Sequence, residues 1–313
     1  MTRERVAVLG GAGFLGSHLV DRLVADGHGV LVVDDLSSGH LDNLAEARRH
    51  GGVGFHSLSV DQNGFGAALA RFAPTVVYLL ADPEVPDGGA GDPVGTVTRH
   101  VGRVASMAEV ARECEARLVT AVRALDLYGA VARQPVQERQ RPHPLHARGA
   151  ATYAALRYVE ARLGRSWCAL ATGTVYGGRQ RPDVAGAVLP ATVSDMLRRR
   201  TPTVAGDPDA SHDWLYVDDA VDALVRACGA GTGLVNVGTG IATPLAEVVG
   251  LAADACSYLG KVAYTSPATA EPAELRLDPT HAGAVLDWQP YTTVADGIPA
   301  AVTSIVRRAP FRD

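Results

Sequence analysis

Seven residues near the start, Gly10-Gly11-Ala12-Gly13-Phe14-Leu15-Gly16, have the types and spacing to hold a dinucleotide. Glycines at the first, fourth and seventh positions allow a tight turn, close backbone approach to a pyrophosphate, and tight packing of helix on strand. The amides that open the following helix then meet the phosphate charge. A glycine pattern alone is weak evidence, but this one has the right flanks. The apolar run Val6-Ala7-Val8-Leu9 precedes it as a buried strand, and helical apolar spacing runs from Phe14 to Leu23. A second β-branched run, Val30 to Val33, ends at Asp34, about 20 residues on, where a carboxylate can hydrogen-bond a ribose diol and repel a 2′-phosphate. NAD(H) is therefore expected over NADP(H), although neither Asp34 nor Asp35 bars the phosphorylated form. The expected cofactor contacts are Gly10, Gly13, Phe14, Leu15, Asp34, Asp35, Leu36, Ser37, Ser38 and Gly39, with Leu80 and Ala81 after the fourth strand.

Further strands are expected at Val53 to His56, Thr75 to Leu79, Arg117 to Ala121, Trp167 to Ala171 and Leu234 to Val237. Helical stretches lie between most of them, including Val94 to Cys114 and Ala147 to Leu163. Such alternation means parallel βαβ units and an α/β fold, a doubly wound Rossmann sheet. After about residue 171 the rhythm loosens into Gly- and Pro-rich loops, Gly177 to Gly186 and Thr201 to Ala210. The expected division is a dinucleotide-binding domain over 1–171, to which 214–240 returns. A smaller C-terminal substrate-binding lobe takes 172–213 and 241–313. The stretch Pro83 to Gly95, dense in Gly, Pro and acid, reads as a surface connector or as a lid at the strand ends.

Bulk properties narrow the class. The 313 residues carry a net charge of −5, which argues against non-specific binding to nucleic acid or anionic membranes. No apolar run approaches the roughly 20 residues of a membrane span, and the N-terminus lacks a signal peptide's apolar core. Cys114, Cys168, Cys228 and Cys256 lie far apart and read as free thiols of a cytoplasmic protein. His143 and His146 read as a polar loop, so no metal is expected. Lys261 is the only lysine, and arginine supplies every other Lys/Arg side chain.

The opening GGAGFLGSHLVDRL, followed by VVDDLSSG, resembles the extended short-chain dehydrogenase/reductase family of nucleotide-sugar epimerases and dehydratases. Leu127-Tyr128-Gly129, Thr174-Val175-Tyr176-Gly177, Asp213 to Asp219 and Asn236 to Gly240 extend the resemblance along nearly the whole chain. It implies an active site of Ser/Thr, Tyr and Lys, in which the tyrosine exchanges a proton with the substrate oxygen and the lysine lowers its pKa. Here those positions have changed. The serine position falls on Ala124, after Arg123. In Pro144 to Thr152, Arg148 stands where the tyrosine belongs and Thr152 where the lysine belongs, while His100 takes the place of a supporting asparagine. A shifted register would use Tyr153 and Arg157, four residues apart on one helix face, but Lys261 lies too far along to join them. The two arginines that hold a sugar-nucleotide diphosphate are replaced by His212 and Glu271, and an asparagine by Thr174. These losses argue against a UDP- or dTDP-sugar substrate.

The expectation is therefore an NAD(P)H-dependent oxidoreductase, a ketoreductase acting on the carbonyl of an aromatic polyketide-like natural product, similar in its losses to atypical antibiotic-tailoring ketoreductases. Hydride transfer mainly needs cofactor and carbonyl held in near-attack geometry, with the proton drawn from water or a substrate hydroxyl. Arg148 and Tyr128 are the expected catalytic contacts. Two alternatives stand beside this: a non-catalytic NAD-binding sensor or regulatory protein, and a nucleotide-sugar epimerase or dehydratase with a shifted active site. The resemblance also implies a homodimer formed through two long helices.

Overall fold

The computed structural model describes residues 3–59, 65–81, 90–183, 187–266 and 270–308. Most of the expected lid stretch from Pro83 lies outside the described residues; its end opens a helix.

Strands β1 (Arg5–Leu9), β2 (Gly29–Val33), β3 (Val53–His56), β4 (Val76–Leu79), β5 (Arg117–Arg123) and β6 (Trp167–Thr172) belong to one seven-stranded sheet. Next come β7 (Thr174–Tyr176), β8 (Thr203–Ala205), β9 (Ser211–Tyr216), β10 (Gly233–Val237), β11 (Ala242–Pro244), β12 (Ala263–Thr265) and β13 (Glu274–Leu275). Of these, β10 completes the main sheet, whose order is β10-β6-β5-β4-β1-β2-β3 with every pair parallel. Chain direction across the sheet reverses between β1 and β4, and ligands bind beyond the carboxyl ends of the strands at such a switch point. This is the Rossmann arrangement expected.

The strand sequences explain the layering. Val6, Val8, Val30 and Val32 bury into a core on one side of the sheet, while Ala7, Leu9, Leu31 and Val33 bury into a core on the other. Because both faces are covered, the strands read as unbroken apolar runs rather than as alternating ones. The helices are α1 (Phe14–Ala25), α2 (Ala45–His50), α3 (Phe65–Phe72), α4 (Pro93–Glu113), α5 (Ala124–Tyr128), α6 (Ala147–Leu163), α7 (Val188–Leu197), α8 (Val217–Ala227), α9 (Leu245–Ala255), α10 (Thr280–Leu286) and α11 (Val294–Arg308). Residues of α1 and α8 fill the first core, those of α3, α4 and α6 the second. Among the described residues no helix is long and apolar enough to cross a membrane.

A third core, built from α7, α9 and α11, supports the smaller lobe. There β9 pairs with β7, β11 and β13, and β8 pairs with β12. Most of these strands have two or three residues, too few for a period to show in sequence. Of the segment 214–240, α8 and β10 pack with the main sheet, while Trp214 to Tyr216 complete β9 of the small one.

Asp213 of β9 joins the two sheets. It is fully buried, and its carboxylate accepts hydrogen bonds from the Thr239 amide (2.7 Å), the Thr239 hydroxyl (2.7 Å), the Gly240 amide (3.0 Å) and the Leu277 amide (3.2 Å). Replacing it by alanine strands these donors without water. Asp213→Ala should lose about 3 kcal/mol or more of unfolding free energy in urea titrations, with Asp213→Asn losing less because one acceptor oxygen remains. A loss below 1 kcal/mol in the alanine variant would show that the lobes are held mainly by packing.

Candidate active site

A cleft of about 700 Å³ runs from the carboxyl ends of the main strands to the smaller lobe. A separate open hollow along Ala130–Arg133 and Gln140–Pro144 shares no residue with it.

The glycine loop forms one end of the cleft. Gly10 has a φ of +79°, and a Cβ there would stand 2.6 Å from the Ala81 amide nitrogen, so only glycine lets the turn close against the end of β4. Gly13 caps α1 without any side-chain hydrogen bond. The first amides of that helix are thus left to a ligand, and Gly13, Phe14, Leu15 and Gly16 line the cleft. Asp34 lies 6% exposed beside them. One carboxylate oxygen accepts from the Ala12 amide and the other from the Leu36 amide, each at 2.8 Å. Burial pushes this carboxyl up, while those amides pull it back. The same carboxylate therefore both shapes the loop and lines the cleft, a double role the sequence did not reveal. Asp35 is held by Ser37, whose amide and hydroxyl donate at 3.0 and 2.6 Å. Ser37, Ser38, Leu80 and Ala81 line the cleft, but Leu36 and Gly39 do not. Leu36 packs against the first core, and Gly39 sits where a Cβ would meet Ala12 and Asp34. Both support the loop from behind. These features fit a dinucleotide: an open helix N-terminus, a cradle that any side chain would fill, and a carboxylate at the second strand's end.

The middle of the cleft is a polar wall where β5, α5, α6 and α4 meet. Gly149 makes it possible, because a Cβ there would stand 2.1 Å from the Asp126 carbonyl oxygen. The first turn of α6 thereby rests on α5. His146 caps α6, its Nδ1 accepting from the Gly149 amide at 3.2 Å. Its proton then sits on Nε2, which points at Asp126 Oδ1 at 3.4 Å. Arg148 Nε approaches the other oxygen at 3.3 Å, and Arg123 lies 3.6 Å away. Burial alone would raise the Asp126 carboxyl, but Arg123, His146 and Arg148 outweigh it and hold it at about 2. Beside this cluster the Thr152 hydroxyl donates to the Arg148 carbonyl at 3.0 Å. Its oxygen lies 3.3 Å from His100 Nε2. Thr174 lines the same wall, its Oγ1 buried without a hydrogen-bond partner.

His100, Arg148 and Thr152 therefore converge on this wall of the cleft. Ala124 is buried at the start of α5 and does not line it. Tyr153 packs against the second core and Arg157 is exposed, paired with Glu160, so neither reaches the cleft. Tyr128 must also be corrected. It is fully buried, and its hydroxyl donates to Asn236 Oδ1 at 2.7 Å, tying α5 to β10 away from the cleft. Among the described residues no tyrosine or lysine lines this cavity. Asp126 and His146 were missed as a pair because their contact spans a loop and depends on how α6 lands.

The far wall comes from β8, β9, α7 and α9. His212 and Glu271 both line it, as does Asp207. His212 Nε2 is hydrogen-bonded with the Pro272 carbonyl at 3.1 Å. The lining arginines lie elsewhere: Arg103, Arg123 and Arg148 along the main strands' side, Arg179 and Arg181 in the loop after β7.

With this geometry in view, comparisons with known proteins give a consistent result. The family described as NAD dependent epimerase/dehydratase matches residues 6–238. The chain is 35% identical over 304 residues to the UDP-glucose 4-epimerase of Mycolicibacterium smegmatis, covering 95% of this chain and 97% of that one. It superimposes on the UDP-glucose 4-epimerase of Thermotoga maritima with UDP-glucose (TM-score 0.89, 28% identity, 97% and 99% of the two chains). The UDP-glucose 4-epimerase of Thermus thermophilus in complex with NAD gives the same score and identity, covering 97% and 100%. These relatives overturn the expectation of a ketoreductase for aromatic polyketides: the similarity runs, end to end, to enzymes named for UDP-sugars.

Two outcomes are expected from this site. Asp34→Ala should weaken NADH roughly tenfold or more, as loss of a charged hydrogen-bond acceptor does. NADPH should weaken less, since a repulsion disappears with the acceptor; fluorescence titration of both cofactors reads the difference. Equal weakening would mean that Asp34 acts only by holding the Ala12 loop. Asp126 should also shape acid stability. Its carboxyl is depressed in the fold, so its contribution is present above pH 4 and lost as pH falls through about 2. Over that window the wild type should lose roughly 2 kcal/mol more than Asp126→Asn in denaturant unfolding. Parallel stability curves would refute the ionised, paired state.

Proposed function

The chain belongs to the NAD dependent epimerase/dehydratase family, and on that premise we propose that it oxidises and re-reduces a carbinol carbon in the sugar of a nucleotide-linked substrate. The observation that carries this reading is the single cleft joining the glycine cradle, the polar wall and the smaller lobe. A substrate whose sugar lies at the wall can reach the cofactor end, with its remainder in the lobe. The absence of the two diphosphate arginines had argued against sugar nucleotides; similarity along nearly the full length reverses that expectation.

NAD, when bound, accepts a hydride from the sugar carbon and can return it. For that exchange a C–H bond breaks with its electron pair, the hydroxyl loses its proton, and a carbonyl forms. The chain's own residues must manage the proton and the charge on oxygen. Thr152, whose hydroxyl donates to the Arg148 carbonyl and lies 3.3 Å from His100 Nε2, can take up the sugar hydroxyl's proton only as it turns its own O–H from that carbonyl to the imidazole nitrogen. The Arg148 guanidinium steadies negative charge on the oxygen. The buried Thr174 hydroxyl offers a hydrogen bond to another sugar oxygen. The enclosed apolar residues Leu80, Leu125, Leu156 and Val188 around the cleft limit water.

One observation favours a second reading. With no tyrosine or lysine among the described lining residues, the chain could bind the dinucleotide and regulate rather than turn over. The test is incubation of the NAD-bound protein with UDP-glucose, UDP-galactose and UDP-glucuronate, following cofactor reduction by absorbance and products by chromatography. Interconversion is expected, slower by roughly 10²- to 10⁴-fold than with a tyrosine acid, the usual contribution of such a group. Tyr153→Phe should leave the rate within about threefold, below that general-acid range. Tight NAD binding with neither reduction nor product would favour the regulatory reading.

A further inference from the structure

Asp126 takes no part in the chemistry derived above, yet it is the most enclosed charged side chain of the cluster it anchors. Its side chain is 8% exposed, against 15% for His146, 17% for Arg148 and 41% for Arg123. It cannot be the proton acceptor at neutral pH, because its three cationic or donating neighbours keep it ionised at about 2. His146 cannot be one either. Its Nδ1 is taken by the Gly149 amide and its Nε2–H is directed at Asp126, so neither nitrogen is left for a substrate. What the cluster does offer is a guanidinium held from behind. Arg148 lines the cleft, and its Nε stands 3.3 Å from an Asp126 oxygen as an ion pair, while its backbone is fixed by the capped first turn of α6.

We propose that Asp126 is a positioning residue, which holds the Arg148 guanidinium where the reacting substrate oxygen carries negative charge, so that a cation set in advance replaces the missing phenol. A buried carboxylate suits this task better than a neutral acceptor. It offsets the cost of burying the arginine and fixes the planar fork in one orientation. A preset donor needs no reorganisation when charge develops, which is why such groups act on kcat rather than on binding. The proposal rests on the carbinol chemistry above for its kinetic arm, but not for its spectroscopic one.

The test uses the NAD-bound full chain with UDP-glucose and UDP-galactose as probes. Arg148→Ala should lower kcat roughly 10²-fold, as removal of one oxyanion donor does. Asp126→Asn should lower it roughly tenfold or more, with KM and the NAD dissociation constant within threefold. The double variant should be no slower than Arg148→Ala alone, because Asp126 acts only through that residue. Arg148→Lys keeps the charge but not the fixed Nε–H and should lose nearly as much as alanine. This decides the matter should Asp126→Asn fail to fold. Independently of any substrate, the Arg148 Nε–H resonance of the NAD-bound protein should shift upfield and exchange faster in Asp126→Asn. Multiplying effects in the double variant, full activity in Arg148→Lys, or an unmoved Nε–H resonance would each overturn the proposal. If the wild type turns over neither sugar while the resonance moves as described, the carbinol reading fails and the Asp126 hold on Arg148 stands.

Discussion

The contact on which the rest of this structure hangs is the carboxylate of Asp213, closed off from water and filled by four donors. Three of those donors belong to Thr239 and Gly240, just beyond the last strand of the main sheet, and the fourth to Leu277 after β13. A carboxylate with both oxygens occupied cannot turn. It therefore fixes β9 against the end of β10, and with it the neighbouring His212 and Trp214, which face the cleft. Burial raises this carboxyl, and the four donors, which pull against that, leave both of its oxygens hydrogen-bonded. The two lobes meet at a set distance because a charged group in the interior tolerates no looser arrangement.

Charge is unevenly placed along the cleft that results. Guanidinium groups crowd the side built by the main strands and the loop after β7, while the far wall presents Asp207, Glu271 and His212. The cofactor end relies on backbone amides and on one carboxylate that doubles as a brace for the glycine loop. In the middle stand an imidazole, a hydroxyl and guanidinium groups, and among the described lining residues there is neither a phenol nor an ammonium.

Much of the frame was legible before any coordinates. The seven main strands, the glycine turn, the helix over Ala147–Leu163 and the acidic end of β2 follow from local period and turn chemistry, and all stand where expected. Those signals are strong because both faces of the main sheet are buried, which forces long apolar runs, and because a tight turn demands glycine. Helix rotation turns Arg148 and Thr152 to the cleft and Tyr153 to the second core, which pattern alone could only suggest. The expectation of a ketoreductase rested on a few positions, and similarity spread over 304 residues to a UDP-glucose 4-epimerase overturns it.

What sequence alone determined here is a Rossmann sheet with a dinucleotide cradle, since those depend on neighbours a few residues apart. Tertiary structure decided where the distant side chains went. Tyr128 turned inward to Asn236, 108 positions away, and does not line the cleft. Asp126 found His146 and Arg148 only because Gly149 allows α6 to settle directly on α5. The short strands of the smaller lobe took their register from one another rather than from any pattern of their own. In each case the deciding energy is the satisfaction of a buried polar group by a partner remote in sequence. No local rule can assign such a partner, because it exists only once the chain has closed around it.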